Sequence, residues 1–119
     1  MESEIQSEIQ SEIQSEIQHI STLKELNKIL SENTNVLLSF YSDWCTPCRF
    51  LDKEIQKLKN NPILKVVKIN SESGVELFSI FNIENLPTLK LFINSEENLY
   101  LMGYNQNHIQ TILERVCTF

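Results

Sequence analysis

Trp44-Cys45-Thr46-Pro47-Cys48 is the stretch on which the fold of this chain turns. Two cysteines separated by two residues can close a small disulfide or supply half of a metal site, and their setting decides between these uses. Before them, Val36-Leu37-Leu38-Ser39-Phe40-Tyr41 is a nearly continuous apolar run, the pattern of a central strand covered on both faces. After them, Phe50, Leu51, Ile55 and Leu58 recur at helical spacing until Asn60-Asn61-Pro62 stops the pattern. Pro47 suits the first turn of that helix, where its missing N–H has no partner to lose. Cys45 is therefore placed at a helix N-terminus, where free N–H groups and the positive end of the helix dipole stabilise a thiolate. A structural zinc needs four ligands, and Cys117, His19 and His108 stand at no metal-binding spacing, so no metal is expected. Both histidines read as surface residues, and Cys117 as a small apolar residue ending the last helix.

The flanks extend the alternation. Ile17-Gln18-His19-Ile20 reads as a short first strand. Thr22 with Glu25 forms a capping box ahead of Leu23, Leu26, Ile29 and Leu30, a helix that ends in the loop Ser31 to Asn35. Ile63 to Asn70 reads as a third strand, and Val75, Leu77, Phe78 and Phe81 as a short helix after a turn at Gly74. Leu86 to Ile93 and Tyr100 to Gly103 read as two strands joined through Asn94 to Asn98, with Glu96-Glu97 as a solvated hairpin tip. Ile109, Ile112, Leu113 and Val116 mark a final helix. The order β-α-β-α-β-α-β-β-α predicts an α/β domain, a central mixed sheet of four to five strands with helices on both faces.

Composition is that of one ordinary globular domain: 119 residues, 41% hydrophobic, 22% charged. The net charge of −6 is concentrated at the N-terminus, where Glu2, Glu4, Glu8, Glu12 and Glu16 face no basic residue. No basic patch with interleaved aromatics points to nucleic acid. Residues 3–18 are four copies of Ser-Glu-Ile-Gln. The stacked glutamates at i,i+4 repel, so residues 1–16 read as a disordered leader or a marginal helix, and residues 17–119 as the domain. Three cysteines with a single C-x-x-C suit a reducing compartment, and no secretory or membrane-spanning pattern is present, so a cytoplasmic monomer without membrane contact is expected.

The chain resembles the thioredoxin family from about Ile17 to its end. The resemblance rests on Phe40-Tyr41-Ser42-Asp43-Trp44-Cys45-Thr46-Pro47-Cys48-Arg49, Val67-Lys68-Ile69-Asn70, Leu86-Pro87-Thr88-Leu89 and Gly103, in the family's order and spacing. It implies the thioredoxin fold and a protein dithiol-disulfide oxidoreductase. By this resemblance Cys45 is the exposed attacking thiol, Cys48 the buried resolving thiol, and Pro87 a cis-proline. Trp44, Leu86, Pro87, Thr88 and Gly103 would receive the substrate, while Thr46, Pro47, Lys68 and Ser39 support the site. It also implies thioredoxin reductase as electron donor, disulfide-containing proteins as substrates, and no bound cofactor beyond the Cys45–Cys48 disulfide. Electron transport and cell redox homeostasis are the implied roles.

Three departures qualify the match. Ser39 stands where the family usually carries a buried aspartate that helps remove the resolving thiol's proton, and serine is no general base at neutral pH. Slower resolution, or help from Lys68 and a water at the Ser39 hydroxyl, is the expectation. Thr46 replaces the usual glycine, and Lys53 the usual helix-kinking proline. Retention of Pro47 points to the reducing end of the family. A competing reading, a thioredoxin-fold binding module working through the N-terminal repeat or the Leu86 to Thr88 loop, stays open at the level of sequence.

Overall fold

In the computed structural model, which describes residues 17–117, the apolar run before the cysteines is the middle strand of a five-stranded sheet. The elements follow as β1 (Gln18–His19), α1 (Leu23–Glu32), β2 (Asn35–Tyr41), α2 (Thr46–Ile55) with a 3-10 turn at Gln56–Leu58, β3 (Lys65–Asn70), α3 (Val75–Ile80), β4 (Thr88–Ile93), β5 (Glu96–Met102) and α4 (His108–Cys117). The sheet order is β1-β3-β2-β4-β5. β3 runs parallel to both β1 and β2, whereas β4 is antiparallel to β2 and β5. The expectation of a mixed sheet with helices on both faces is met. The leader, residues 1–16, lies outside the described residues.

Strand alternation sorts the core into two layers. Val36, Leu38 and Phe40 of β2 join Val67, Ile69 and Phe92 against Leu26 and Ile29 of α1 and Leu77 of α3. Leu37 of β2, with Val66, Leu89 and Leu91, packs against Leu51 and Ile55 of α2 and Ile112 and Val116 of α4. Each large aliphatic side chain buried in this way contributes roughly 1.5–3 kcal/mol, which is why the central strand must be apolar on both faces. Phe40 sits edge-on to Phe78 and Phe81 at 5.3 and 5.8 Å, anchoring the end of β2 just before the loop that leads to Cys45.

β1 and β2 differ from expectation by no more than one residue at either end, and β3, β4 and β5 by more. β5 begins at Glu96, not Tyr100, because the hairpin turns in the two residues Asn94 and Ser95, both at positive φ (54° and 66°). Such a turn is usually signalled by glycine, and its absence hid the hairpin. Glu97 is thus a strand residue and not the hairpin tip; exposed as expected, it accepts from Lys90 Nζ at 2.8 Å. β3 begins at Lys65 because Asn61 Oδ1 accepts from Ile63 N at 2.9 Å, turning the chain there. β4 begins at Thr88, leaving Leu86 and Pro87 outside its ladder. Gly74 has an ordinary φ of −103°, and its role is space: a Cβ would lie 2.5 Å from Ile69 Cγ2 and 2.8 Å from the Asn70 carbonyl oxygen.

The Thr22 capping box forms as expected. Thr22 Oγ1 accepts from Glu25 N at 3.2 Å, and Glu25 Oε1 accepts from the backbone N–H groups of Ser21 and Thr22 at 3.0 and 3.1 Å. The Ser21 N–H, followed by the Thr22 hydroxyl, holds the Glu25 carboxyl below its usual range. A carboxylate favoured in the fold contributes stability above its unfolded pKa, and that contribution is lost as pH falls through its folded value. Thr22→Ala is predicted to cost about 1 kcal/mol in urea unfolding at pH 7. Glu25→Gln should carry a penalty at pH 7 that fades below pH 4; a penalty independent of pH contradicts the assignment.

Candidate active site

The site lies where β2 hands the chain to α2. After Tyr41 the backbone turns at Ser42, whose carbonyl oxygen accepts from Cys45 N at 3.3 Å. Arg49 Nη2 donates to the Asp43 carbonyl oxygen at 3.2 Å, and Asn70 Nδ2 donates to Asp43 Oδ1 at 3.3 Å, tying the turn to α2 and β3. Cys45 is the N-cap of α2, and its Sγ accepts from Cys48 N at 3.3 Å. Sulfur thus occupies the place usually taken by a capping oxygen, and the free N–H of the third helical residue is directed at it. Cys45 and Cys48 form a disulfide with their Cα atoms 5.3 Å apart. Trp44 projects beside it, 72% exposed, and Thr46 and Pro47 are also exposed.

Cys45 corrects one expectation: it is not exposed. In the disulfide form Cys45 and Cys48 are only 6% and 4% accessible. Bonding to Cys48 holds the Cys45 sulfur over the end of its own helix, where it is covered. Cys117 also differs, being an exposed free thiol instead of a packed one.

Strand register brings the second segment to the same end of the sheet. Phe40 pairs with Thr88 and Thr88 with Met102, so Pro87 and Gly103 flank the mouth of β2. The Leu86–Pro87 peptide is cis. Gly103 N donates to the Pro87 carbonyl oxygen at 2.7 Å, and Thr88 Oγ1 donates to the Asn85 carbonyl oxygen at 2.6 Å. The φ of +78° at Gly103 explains glycine there. Met102 is exposed, and Tyr104 stacks against Phe50 of α2 at 6.0 Å, extending the apolar rim. Partial burial, then the Glu54 carboxylate, holds the Tyr104 phenol above its usual range.

Beneath the disulfide, Ser39 is buried and pairs in register with Lys68. Alternation along both strands turns these two toward the layer occupied by α2. Lys68 Nζ meets Asp52 Oδ1 of α2 at 2.6 Å and lies 4.6 Å from the Tyr41 ring centroid. Tyr41 Oη in turn contacts His19 Nε2 at 2.7 Å. Sequence reasoning missed Asp52, although its spacing of four residues from Cys48 on a helix was a usable signal. Among the described residues no cluster of His, Cys, Asp and Glu is arranged to hold a metal ion.

The thioredoxin family model matches residues 16–115. The chain belongs to the thioredoxin family. It is 33% identical over 86 residues to a thioredoxin of Mycoplasma genitalium, covering 71% of this chain and 84% of that one. A thioredoxin of Rickettsia bellii is 31% identical over 83 residues, covering 68% and 79%. A solved mutant thioredoxin from Halobacterium salinarum superposes with a TM-score of 0.77 at 28% identity, covering 86% of this chain and 91% of that one. Family membership together with the Cys45–Cys48 pair makes the protein a dithiol-disulfide oxidoreductase of thioredoxin type, and the family requires no bound cofactor.

This geometry predicts the thiol count. The native oxidised protein should react with one equivalent of a thiol reagent, at Cys117, and Cys117→Ser should abolish that reaction. A second reactive thiol before reduction would contradict the Cys45–Cys48 bond.

Proposed function

We propose that Cys45 is the attacking thiol and Cys48 the resolving thiol. The observation that carries this is the Cys48 N–H directed at Cys45 Sγ at the N-terminus of α2, a donor that favours negative charge on that sulfur. In the reduced protein the Cys45 thiolate attacks one sulfur of a substrate disulfide, forming a mixed disulfide and releasing the other substrate sulfur as a thiolate that takes up a proton. Cys48, deprotonated, then attacks Cys45 Sγ. The intramolecular disulfide forms, the mixed disulfide breaks, and the second substrate sulfur leaves reduced.

Trp44 and Leu86, with Gly103 beside them, form the docking rim, and Pro87 and Thr88, both buried, serve it by fixing the backbone at Leu86. Leu86 precedes β4, so its peptide groups are placed to pair with an extended substrate strand, and Trp44 offers apolar surface beside the sulfurs. Ser39, Thr46, Pro47 and Lys68 support the pair. Electrons come from a thioredoxin reductase and ultimately NADPH, which restores the dithiol for another cycle; in this role the protein serves electron transport and cell redox homeostasis. The working form is a monomer in a reducing, cytoplasmic compartment, where the exposed Cys117 thiol would stay reduced. Residues 1–16 act as a leader appended to the catalytic domain.

Insulin reduction with a reductase and NADPH tests this. The protein should turn over insulin, Cys48→Ser should accumulate a mixed disulfide at Cys45, and Cys45→Ser should form none. A substrate adduct at Cys48 in the Cys45→Ser protein, as abundant as the Cys45 adduct of Cys48→Ser, would overturn the assignment of roles.

A further inference from the structure

We propose that Asp52 is the base that removes the proton from Cys48 during resolution, so that the acid absent from position 39 is supplied by α2. The inference rests on the roles given to Cys45 and Cys48. Cys48 and Asp52 are one turn apart within α2, a spacing that places their Cβ atoms about 5–6 Å from each other on one helix face. Helical side chains lean toward the N-terminus, which inclines Asp52 toward Cys48. Its Oδ1 is buried and accepts no hydrogen bond beyond the 2.6 Å ion-pair contact with Lys68, which leaves capacity for a thiol proton. The side chain nevertheless keeps 36% of its surface exposed, so the carboxylate can exchange a proton with solvent.

The groups facing it agree with this role. Lys68, 11% exposed on β3, pairs with the carboxylate and orients it, and is itself held against the Tyr41 ring, whose hydroxyl contacts His19. Ser39 on β2 stands beside Lys68 in register and contributes no charge. From α4, Ile112 and Val116 add apolar packing to the same layer. In the step itself the Cys48 thiol passes its proton to the Asp52 carboxylate, directly or through one water. The resulting thiolate forms the bond to Cys45 Sγ as the substrate sulfur departs with the electron pair of the broken bond. Asp52 then returns its proton to that leaving thiolate or to water, and no other reactant is needed.

Charge and proton transfer predict opposite signs for Asp52→Asn. Removing a negative charge near Cys48 and freeing the Lys68 cation favours the Cys48 thiolate and, if charge alone mattered, hastens resolution. Removing a base slows it. The test uses the full chain carrying Cys117→Ser, fully reduced and mixed with excess 5,5′-dithiobis(2-nitrobenzoate). Attack by Cys45 releases a first thionitrobenzoate, and attack by Cys48 on the mixed disulfide releases a second. In Asp52→Asn the first release should keep its rate and the second should slow at least about tenfold at pH 7. The deficit should close above the ordinary thiol range near pH 8.5, where hydroxide ionises Cys48 unaided. Asp52→Glu should retain most of the second-step rate, and Ser39→Asp added to Asp52→Asn should restore it. A second release that is unchanged or faster in Asp52→Asn overturns the proposal, as does an equal loss in both steps at every pH. If Cys45 gives no first release in the parent protein, the fault lies with the assigned cysteine roles.

Discussion

The hydrogen bond from Cys48 N to Cys45 Sγ depends on nearly everything else in the molecule. It exists only because α2 starts at that residue, and α2 starts there because β2 ends four residues earlier in a fixed place. β2 is fixed by being sandwiched: one side chain in two goes to each apolar layer, and Phe40 near its end is held by two aromatic rings. A sulfur placed on a loop of its own would have no such donors aimed at it. The scaffold supplies, in advance of any substrate, the charge stabilisation that the attacking thiolate requires.

The same strand geometry organises the side of the site away from solvent. Lys68 faces the α2 layer next to a serine, and a buried ammonium without a partner would be costly. Asp52 answers that demand from across the layer, at 2.6 Å. The carboxylate of this pair thus stands on α2, the helix that carries Cys48 and is capped by Cys45.

The fold was legible in the sequence wherever burial wrote a period. The run Val36 to Tyr41, the Thr22–Glu25 box and the helical spacing after Cys48 each mapped onto an observed element within a few residues. Legibility failed where geometry was carried by residues with weak signatures. Asn94 and Ser95 make a two-residue turn without glycine, so nothing in the sequence marks the start of β5 four residues ahead of Tyr100. At the site, the cysteine motif was visible because its spacing is chemistry in itself. Asp52 was not, since an aspartate on an amphipathic helix looks like any surface charge until the strand register shows Lys68 pointing at it. The cover over Cys45 was also invisible, because it follows from the closed disulfide and not from the residue type.

A dithiol that reduces others must itself be hard to reduce. Pro47 between the cysteines places no charged group there to favour the thiolate form of the reduced protein further, and the capping N–H acts on one sulfur only. The direction of electron flow is the central claim, and the reduction potential of the Cys45–Cys48 pair, measured by equilibration with defined ratios of glutathione and its disulfide, tests it most directly. A value of about −270 mV is predicted, in the range of reducing members of the family; a value of about −180 mV or higher, where isomerases and oxidases lie, would contradict it.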